Sequence, residues 1–596
     1  MKRISTFSDD ASALPPASGP AGVARRHGGI GRHLLSGAAL VALLATGSVA
    51  AKADDSNAEL AAEIHALKAQ LRHLEAKVDR HSVQIHQVQV KASTYQANAA
   101  APYEPPAPWD KKFHLNGITI TPGGFIAAEG VFRTRTTEGD FSPAFGSLPE
   151  YNNPLAHTNE LRGTARQSRF SLLVQGNFNP DTLISGYGEF DFLGAGVTPN
   201  SNESNSYQPR VRHLYLTVDW MGEGFHLLAG QTWSLLTLNQ KGITPRNEDI
   251  PLTIDAQYVS GFTWARQPQL RLTKNFGDQF WLAASAEMPQ TTSCTGGFSF
   301  GNGGTASANT PVTAVNGNGV VCDTVGSTSG SSVLNNTTYY SLNHIPDVVA
   351  KAAWEPNFEG HAVHFEAMGL YSDEYDFVQQ GVTTAAPSVF NTRHDTTGWG
   401  AGGGLTVAVV PKLLDLQGSG MIGRGIGRYG SGQLADSSFN PDGSLDPLPE
   451  AMFLGGAVLH ATPQLDLYAY GGEERILSRD DTSQGTGYAA LNLQNTGCYI
   501  VNGTCQGKVR DDWEITAGFW DKVYQGDMGS VRVGLQYAYV QDDLFPGSGI
   551  TTAQAHLPGA LAPNSPVHFN NNEVYASLRY YPFDPAPPAP PLVTKY

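Results

Sequence analysis

The sequence predicts an all-β chain: a transmembrane antiparallel β-barrel of about sixteen strands, preceded by a short N-terminal coiled-coil helix. Three observations lead there. Segments of roughly ten residues alternate apolar with polar side chains, as in Phe170-Ser171-Leu172-Leu173-Val174-Gln175. Short turns and long Gly/Asn/Ser/Thr loops then alternate strictly between these segments, which is how outer-membrane barrels are connected. Finally, the first 53 residues read as an export signal.

In that signal, Arg25, Arg26, Arg32 and His33 precede an apolar run of about a dozen residues from Leu34, too short to span a bilayer. Ala51-Lys52-Ala53 then offers a small-residue cleavage site before Asp54. Cleavage removes six Lys/Arg and two Asp, taking the formal charge from −16 to −20. An acidic chain lacks the basic surface that phosphate binding needs, so nucleic acid is not an expected partner. Sixty-six Gly and 15% charged residues suit β-structure with long loops better than an α/β enzyme.

Residues 54–92 carry the helix. Ile64, Leu71, Val78 and Ile85 at a, with Leu60, Leu67, Leu74 and Val88 at d, form a stripe with no other core in its own segment, which predicts self-association. Mixed Ile, Leu and Val do not fix two strands against three. Residues 93–112 are a Pro/Ala-rich spacer, and 584–596 a Pro-rich tail.

The barrel spans 113–583. Its short-turn pairs are 168–178 with 183–193, 210–220 with 224–234, 268–276 with 280–287, 346–354 with 361–371, 398–408 with 413–423, 451–461 with 465–474, and 512–523 with 530–541. Segments 114–135 and 571–581 close first onto last. Four cysteines fit an oxidising address: Cys294 and Cys322 bracket one long loop, Cys498 and Cys505 another, so pairing within each loop is the simplest connectivity. Neither loop has C-x-x-C spacing, so no zinc site is predicted there, and no cofactor is predicted.

Strand parity names the wet face. Arg133, Arg135, Arg169, Arg271, Lys351, Arg532 and Arg579 fall on it, together with Glu129, Glu189, Asp191, Glu366 and Glu514. Two readings stay open for each cation: a selectivity wall that favours carboxylates, or a structural pair with a neighbouring acid. Arg210 and Arg212 share parity with Leu214 and Leu216, which asks for a bulge or a position above the hydrocarbon. Loop 235–266, with Asn239, Lys241, Arg246, Glu248, Asp249 and Asp255, suits folding into a lumen.

Gly425-Ile426-Gly427-Arg428-Tyr429-Gly430 matches a phosphate-loop pattern but has no following helix, and Gly297-Phe298-Ser299-Phe300-Gly301 matches a nucleophile elbow inside a long loop. Neither makes an enzyme, although an outer-membrane hydrolase and an adhesive or structural barrel remain as alternatives to a pore.

Signal, coiled coil, linker and barrel together resemble the DcaP-like trimeric porins of Gram-negative outer membranes. Ala229-Gly230-Gln231-Thr232-Trp233-Ser234 and Arg266-Gln267-Pro268-Gln269-Leu270-Arg271 also look like that family. The resemblance implies a homotrimer, a periplasmic coiled coil, surroundings of outer-membrane lipid and lipopolysaccharide, and passage of small anionic solutes such as dicarboxylates.

Overall fold

Every second side chain along the strands points its greasy half outward, the reverse of a water-soluble sandwich. In the computed structural model Phe170, Leu172, Leu214, Leu216, Leu270 and Leu272 are exposed on the outer wall, whereas Arg133, Glu189, Arg271, Lys351 and Glu366 are buried inside it. Only a lipid surround makes that arrangement favourable, because apolar area then leaves water and the polar interior is satisfied by its own ion pairs.

The structure describes residues 111–585 except 138–140, 142–144, 146–147, 194–208, 293–298, 301–303, 306–311, 316–317, 322–340, 357, 359, 380–390, 441–443 and 481–486, and also His65, Lys68, Ala69, Arg72 and Lys77. The chain divides into two units, Met1–Glu104 and Pro105–Tyr596. In the first, those five residues are helical and exposed. The signal segment, the a/d positions, Cys294 and Cys322 lie outside the described residues.

Among the described residues the second unit holds a closed sixteen-strand barrel. Its strands are β1 (Ile118–Arg133), β2 (Arg169–Asn179), β3 (Thr182–Asp191), β4 (Arg210–Trp220), β5 (Phe225–Trp233), β6 (Arg266–Phe276), β7 (Phe280–Glu287) and β8 (Asp347–Trp354). They continue as β9 (Val363–Gln379), β10 (Asn391–Val410), β11 (Leu414–Arg424), β12 (Pro449–His460), β13 (Leu465–Ile476), β14 (Val509–Gly526), β15 (Gly529–Leu544) and β16 (Val567–Tyr581). Each pairs antiparallel with its chain neighbour, and β16 pairs with β1 from Ile126↔Tyr580 to Arg133↔Glu573. Closure leaves no free edge, which a spanning sheet requires. All seven predicted hairpins form, and the long strands β9 and β10 run several residues beyond their predicted ends. The closing segments 114–135 and 571–581 correspond to β1 and β16.

Both ends of the barrel chain lie at the short-turn end, the periplasmic end by the barrel rule. There Phe113–Leu115 folds back on Ile118–Ile120. The turn between them has Asn116 at φ 44° and Gly117 at φ 86°, a left-handed pair that Asn-Gly adopts readily. Lys111 donates to the Asp584 carbonyl, and Arg532 and Ser530 hold the Asp584 carboxylate. The first residue of the predicted tail is therefore fastened to the wall.

The parity conflict at Arg212 is resolved by a bulge. Phe190 pairs with Val211 and Glu189 with His213, so Arg212 is the extra residue and turns into the lumen.

Candidate functional site: the lumen and its inserted loop

Residues 234–265 leave β5, cross the barrel and return to β6. A small hairpin opens the excursion: Gln240 donates to the Asn247 carbonyl and Asp249 to the Leu238 carbonyl. The far wall then holds it. Lys351 donates to the Thr237 carbonyl at 2.7 Å and to Asn239 Oδ1 at 3.2 Å, while pairing with Glu366 at 2.7 Å. Thr406 donates to Asp249 at 2.7 Å, Trp520 Nε1 to the Leu252 carbonyl at 2.7 Å, and Gly261 N to Glu474 at 2.8 Å. Ile254, Tyr258, Val259 and Phe262 bury themselves against Tyr468, Trp520 and Tyr575. Two bulky residues are held in the left-handed region, Arg246 at φ 70° and Tyr258 at φ 73°. Such strain costs on the order of 1–3 kcal/mol per residue and persists only where surrounding contacts fix it.

The acids of the outer half serve the loops. Glu450 accepts from Ile426 N and Gly427 N, Glu474 from Gly432 N, Glu514 from Ser260 N, and Asp542 from Leu148 N. In the phosphate-loop look-alike the Glu450 carboxylate takes the N–H groups that a phosphate would need. The chain's acidic total is thus partly committed to anchoring backbone rather than facing the channel.

Below the inserted loop a cavity of about 520 Å³ opens toward the short-turn end. Arg169, Arg212, Arg246, Arg532 and Arg579 line it, against Glu189, Glu248, Asp255, Asp466 and Asp584. Arg169 lies 3.5 Å from Glu189, Arg212 2.8 Å from Glu189 and 3.1 Å from Asp191, Arg532 2.7 Å from Asp584, and Arg579 2.8 Å from Glu129. Arg246 differs. It donates to Tyr215 Oη at 2.9 Å and lies 5.6 Å from the Tyr187 ring centre, and it makes no ion pair among the described residues. On the loop itself burial pushes the Asp255 carboxyl up to about 8, and burial also raises Glu248. Near neutral pH Asp255 therefore adds little negative charge to the lumen.

A second cavity of about 710 Å³ lies at the long-loop end, with Arg210, Arg266 and Arg428 on its wall. Arg266 stacks over Trp233 at 4.4 Å. Arg428 donates to Gln267, to the Gln290 carbonyl and to the Met288 carbonyl.

Of the seven cations named from parity, Arg169, Arg532 and Arg579 reach the lower cavity. Arg133 is fully buried between Glu160 and Glu573 and donates to the Phe141 carbonyl, fastening the first external loop. Arg135 holds the Ala156 and Asn570 carbonyls under the Tyr151 ring. Arg271, 3% exposed, donates to Gln269 and to the Trp233 carbonyl. Lys351 is the loop anchor described above. Arg212 and Arg266 were missing from the parity set. For Arg212 the signal was the parity conflict itself; Arg266 opened the family-like stretch Arg266–Arg271 but no parity marked it as a wall cation. Cys498 and Cys505 are joined in a disulfide, closing one predicted loop.

The crystal structure of the outer membrane channel DcaP of Acinetobacter baumannii superposes with TM-score 0.51 at 19% identity, covering 79% of this chain and 99% of that one. The barrel has the DcaP fold. Weaker likenesses are an anion-selective porin from Comamonas acidovorans (TM-score 0.39, 9% identity, 78% and 99% covered) and OmpT, an outer membrane protein of Vibrio cholerae (TM-score 0.38, 11% identity, 79% and 99% covered). No protein-family model and no curated protein matches the chain.

Proposed function

We propose that this chain is a trimeric outer-membrane porin of the DcaP kind, giving passive diffusion of small hydrophilic solutes with a preference for small anions such as dicarboxylates. The single observation that carries the reading is a polar lumen narrowed by an inserted loop, with Arg246 on that loop lacking a carboxylate partner and Asp255, on the wall of the same cavity, pushed up to about 8 by burial. An arginine fork donates two bonds to a carboxylate and stays charged at any working pH. Paired arginines nearby keep some donors available while their acids cancel most of the long-range field. Arg169, Arg212 and Arg579 would give an anion a basic stop below the loop, and Arg210, Arg266 and Arg428 leave further donors at the long-loop end.

Liposome swelling tests the reading. Vesicles carrying the full chain should swell faster in a small dicarboxylate than in a neutral sugar of similar size, and slowest in a diamine of similar size. Equal rates for acid and diamine would remove the anion preference; no swelling in any solute would remove the porin reading.

A further inference from the structure

On the outer wall, away from the lumen, three metal-ligating side chains converge. His344 ends the long loop before β8, Asp373 lies on β9 and Asp395 on β10. One ligand atom from each falls within 4.8 Å of the other two. His344 Nδ1 is 3.7 Å from Asp373 Oδ2, and its Nε2 is 3.3 Å from Asp395 Oδ1.

The strand register fixes their level. Tyr371 pairs with Trp399 on the outward face, and both are exposed, as interfacial aromatics are. The next outward rungs toward the long-loop end pair Asp373 with Thr397 and Tyr375 with Asp395. The cluster therefore stands just above the aromatic girdle, where hydrocarbon gives way to headgroups. The Tyr375 ring packs edge-on against His344 with centres 4.4 Å apart, steadying the imidazole.

A second observation singles out Asp373. Its residue is only 5% exposed although it faces outward, and its Oδ2 is buried with no hydrogen-bond partner. A buried carboxylate oxygen left bare is costly and asks for a proton or a cation. That oxygen is the atom aimed at His344.

We propose that His344, Asp373 and Asp395 form a binding site for a divalent transition ion of the zinc class, on the membrane-facing rim of the barrel. One imidazole nitrogen and two carboxylate oxygens are a donor set that a borderline ion accepts in a tetrahedral shell with one open position. Calcium and magnesium fit less well, because they take oxygen ligands, in six- to eight-fold shells. The site would clamp residues 341–346 to two wall strands. The absence of a predicted zinc site from the cysteine loops does not bear on it, since no cysteine takes part.

The test uses the purified full-length protein in detergent, stripped with a chelator and titrated with Zn²⁺ alone by calorimetry. The expected result is one saturable site per chain. His344→Ala and Asp373→Asn should each weaken it at least tenfold while keeping the heat-modifiable mobility of the folded barrel. His460→Ala should leave it unchanged: His460 also bridges two acids, Asp415 and Asp466, but those do not converge on one point. No saturable Zn²⁺ uptake below millimolar, unchanged binding in Asp373→Asn, or a site that takes Ca²⁺ in preference to Zn²⁺ would each overturn the proposal, the first two leaving an ordinary ion pair.

Discussion

Replacing Arg246 by Gln removes one positive charge from the loop in the lumen while keeping a donor for Tyr215 Oη. No carboxylate partner is orphaned by the change, so the variant reports the field and not a broken ion pair. A solute ion passing about 6 Å from the guanidinium in water-like surroundings feels about 0.7 kcal/mol from a unit charge. The sign is opposite for cation and anion, so the differential is about 1.4 kcal/mol, a roughly tenfold change in permeability ratio before screening. A Debye length of about 8 Å at physiological salt halves that energy and leaves roughly a threefold change. The assay is the zero-current potential across a planar bilayer under a salt gradient. Arg246→Gln should move it toward cations by a threefold to tenfold change in permeability ratio, and the change should shrink at 1 M salt. Arg271→Gln is the contrast: Arg271 is buried against the Trp233 carbonyl, so its loss should leave the potential nearly unmoved. An unchanged potential in Arg246→Gln, or an equal shift in Arg271→Gln, would refute the assignment of the field to the loop.

Other outcomes follow from the same geometry. Asp255 is neutral below about 8, and Tyr258 ionises near 8 because Arg212, Arg169 and Arg266 outweigh the opposing effect of burial, so both add negative charge to the lumen as pH rises. Anion preference should therefore fall between pH 7 and 9, and Asp255→Asn with Tyr258→Phe should flatten the profile in bilayer recordings. Gly261 sits at φ 82°, and a Cβ there would strike the Phe453 carbonyl. Gly261→Val should dislodge the loop and raise single-channel conductance while the barrel stays heat-modifiable. Deleting 54–92 should lower the temperature at which the oligomer dissociates on semi-native gels, because the Leu60–Val88 stripe has no other core in its own segment. Peptide mapping without reductant should return Cys498 linked to Cys505 and Cys294 linked to Cys322.

The barrel was legible because period-2 alternation and the alternation of turns with loops are local properties of the chain. The lumen was legible only by face. Parity put Arg133, Arg169 and Lys351 on the wet face, but it could not say that Glu573, Glu189 and Glu366 would stand beside them, since those partners come from other strands or other turns of the register. One extra residue at Arg212 shifted its parity, and the compensating fact, the Phe190↔Val211 pairing, is a contact between strands. The inserted loop was named from its density of polar residues. Its anchors, such as Trp520 on Leu252 and Glu474 on Gly261, lie more than 200 residues away and leave no local trace. The His344 cluster is of the same kind: three residues on three segments, joined only by register.

The proposed porin conducts and favours anions. The most direct measurement is single-channel recording of the purified wild-type protein in a planar bilayer, with the zero-current potential read under a tenfold salt gradient at pH 7. Conductance steps grouped in threes are expected, with a potential of the sign given by anion flow and a current reduced by millimolar dicarboxylate. A protein that inserts without conducting, or a potential of the sign given by cation flow, would contradict it.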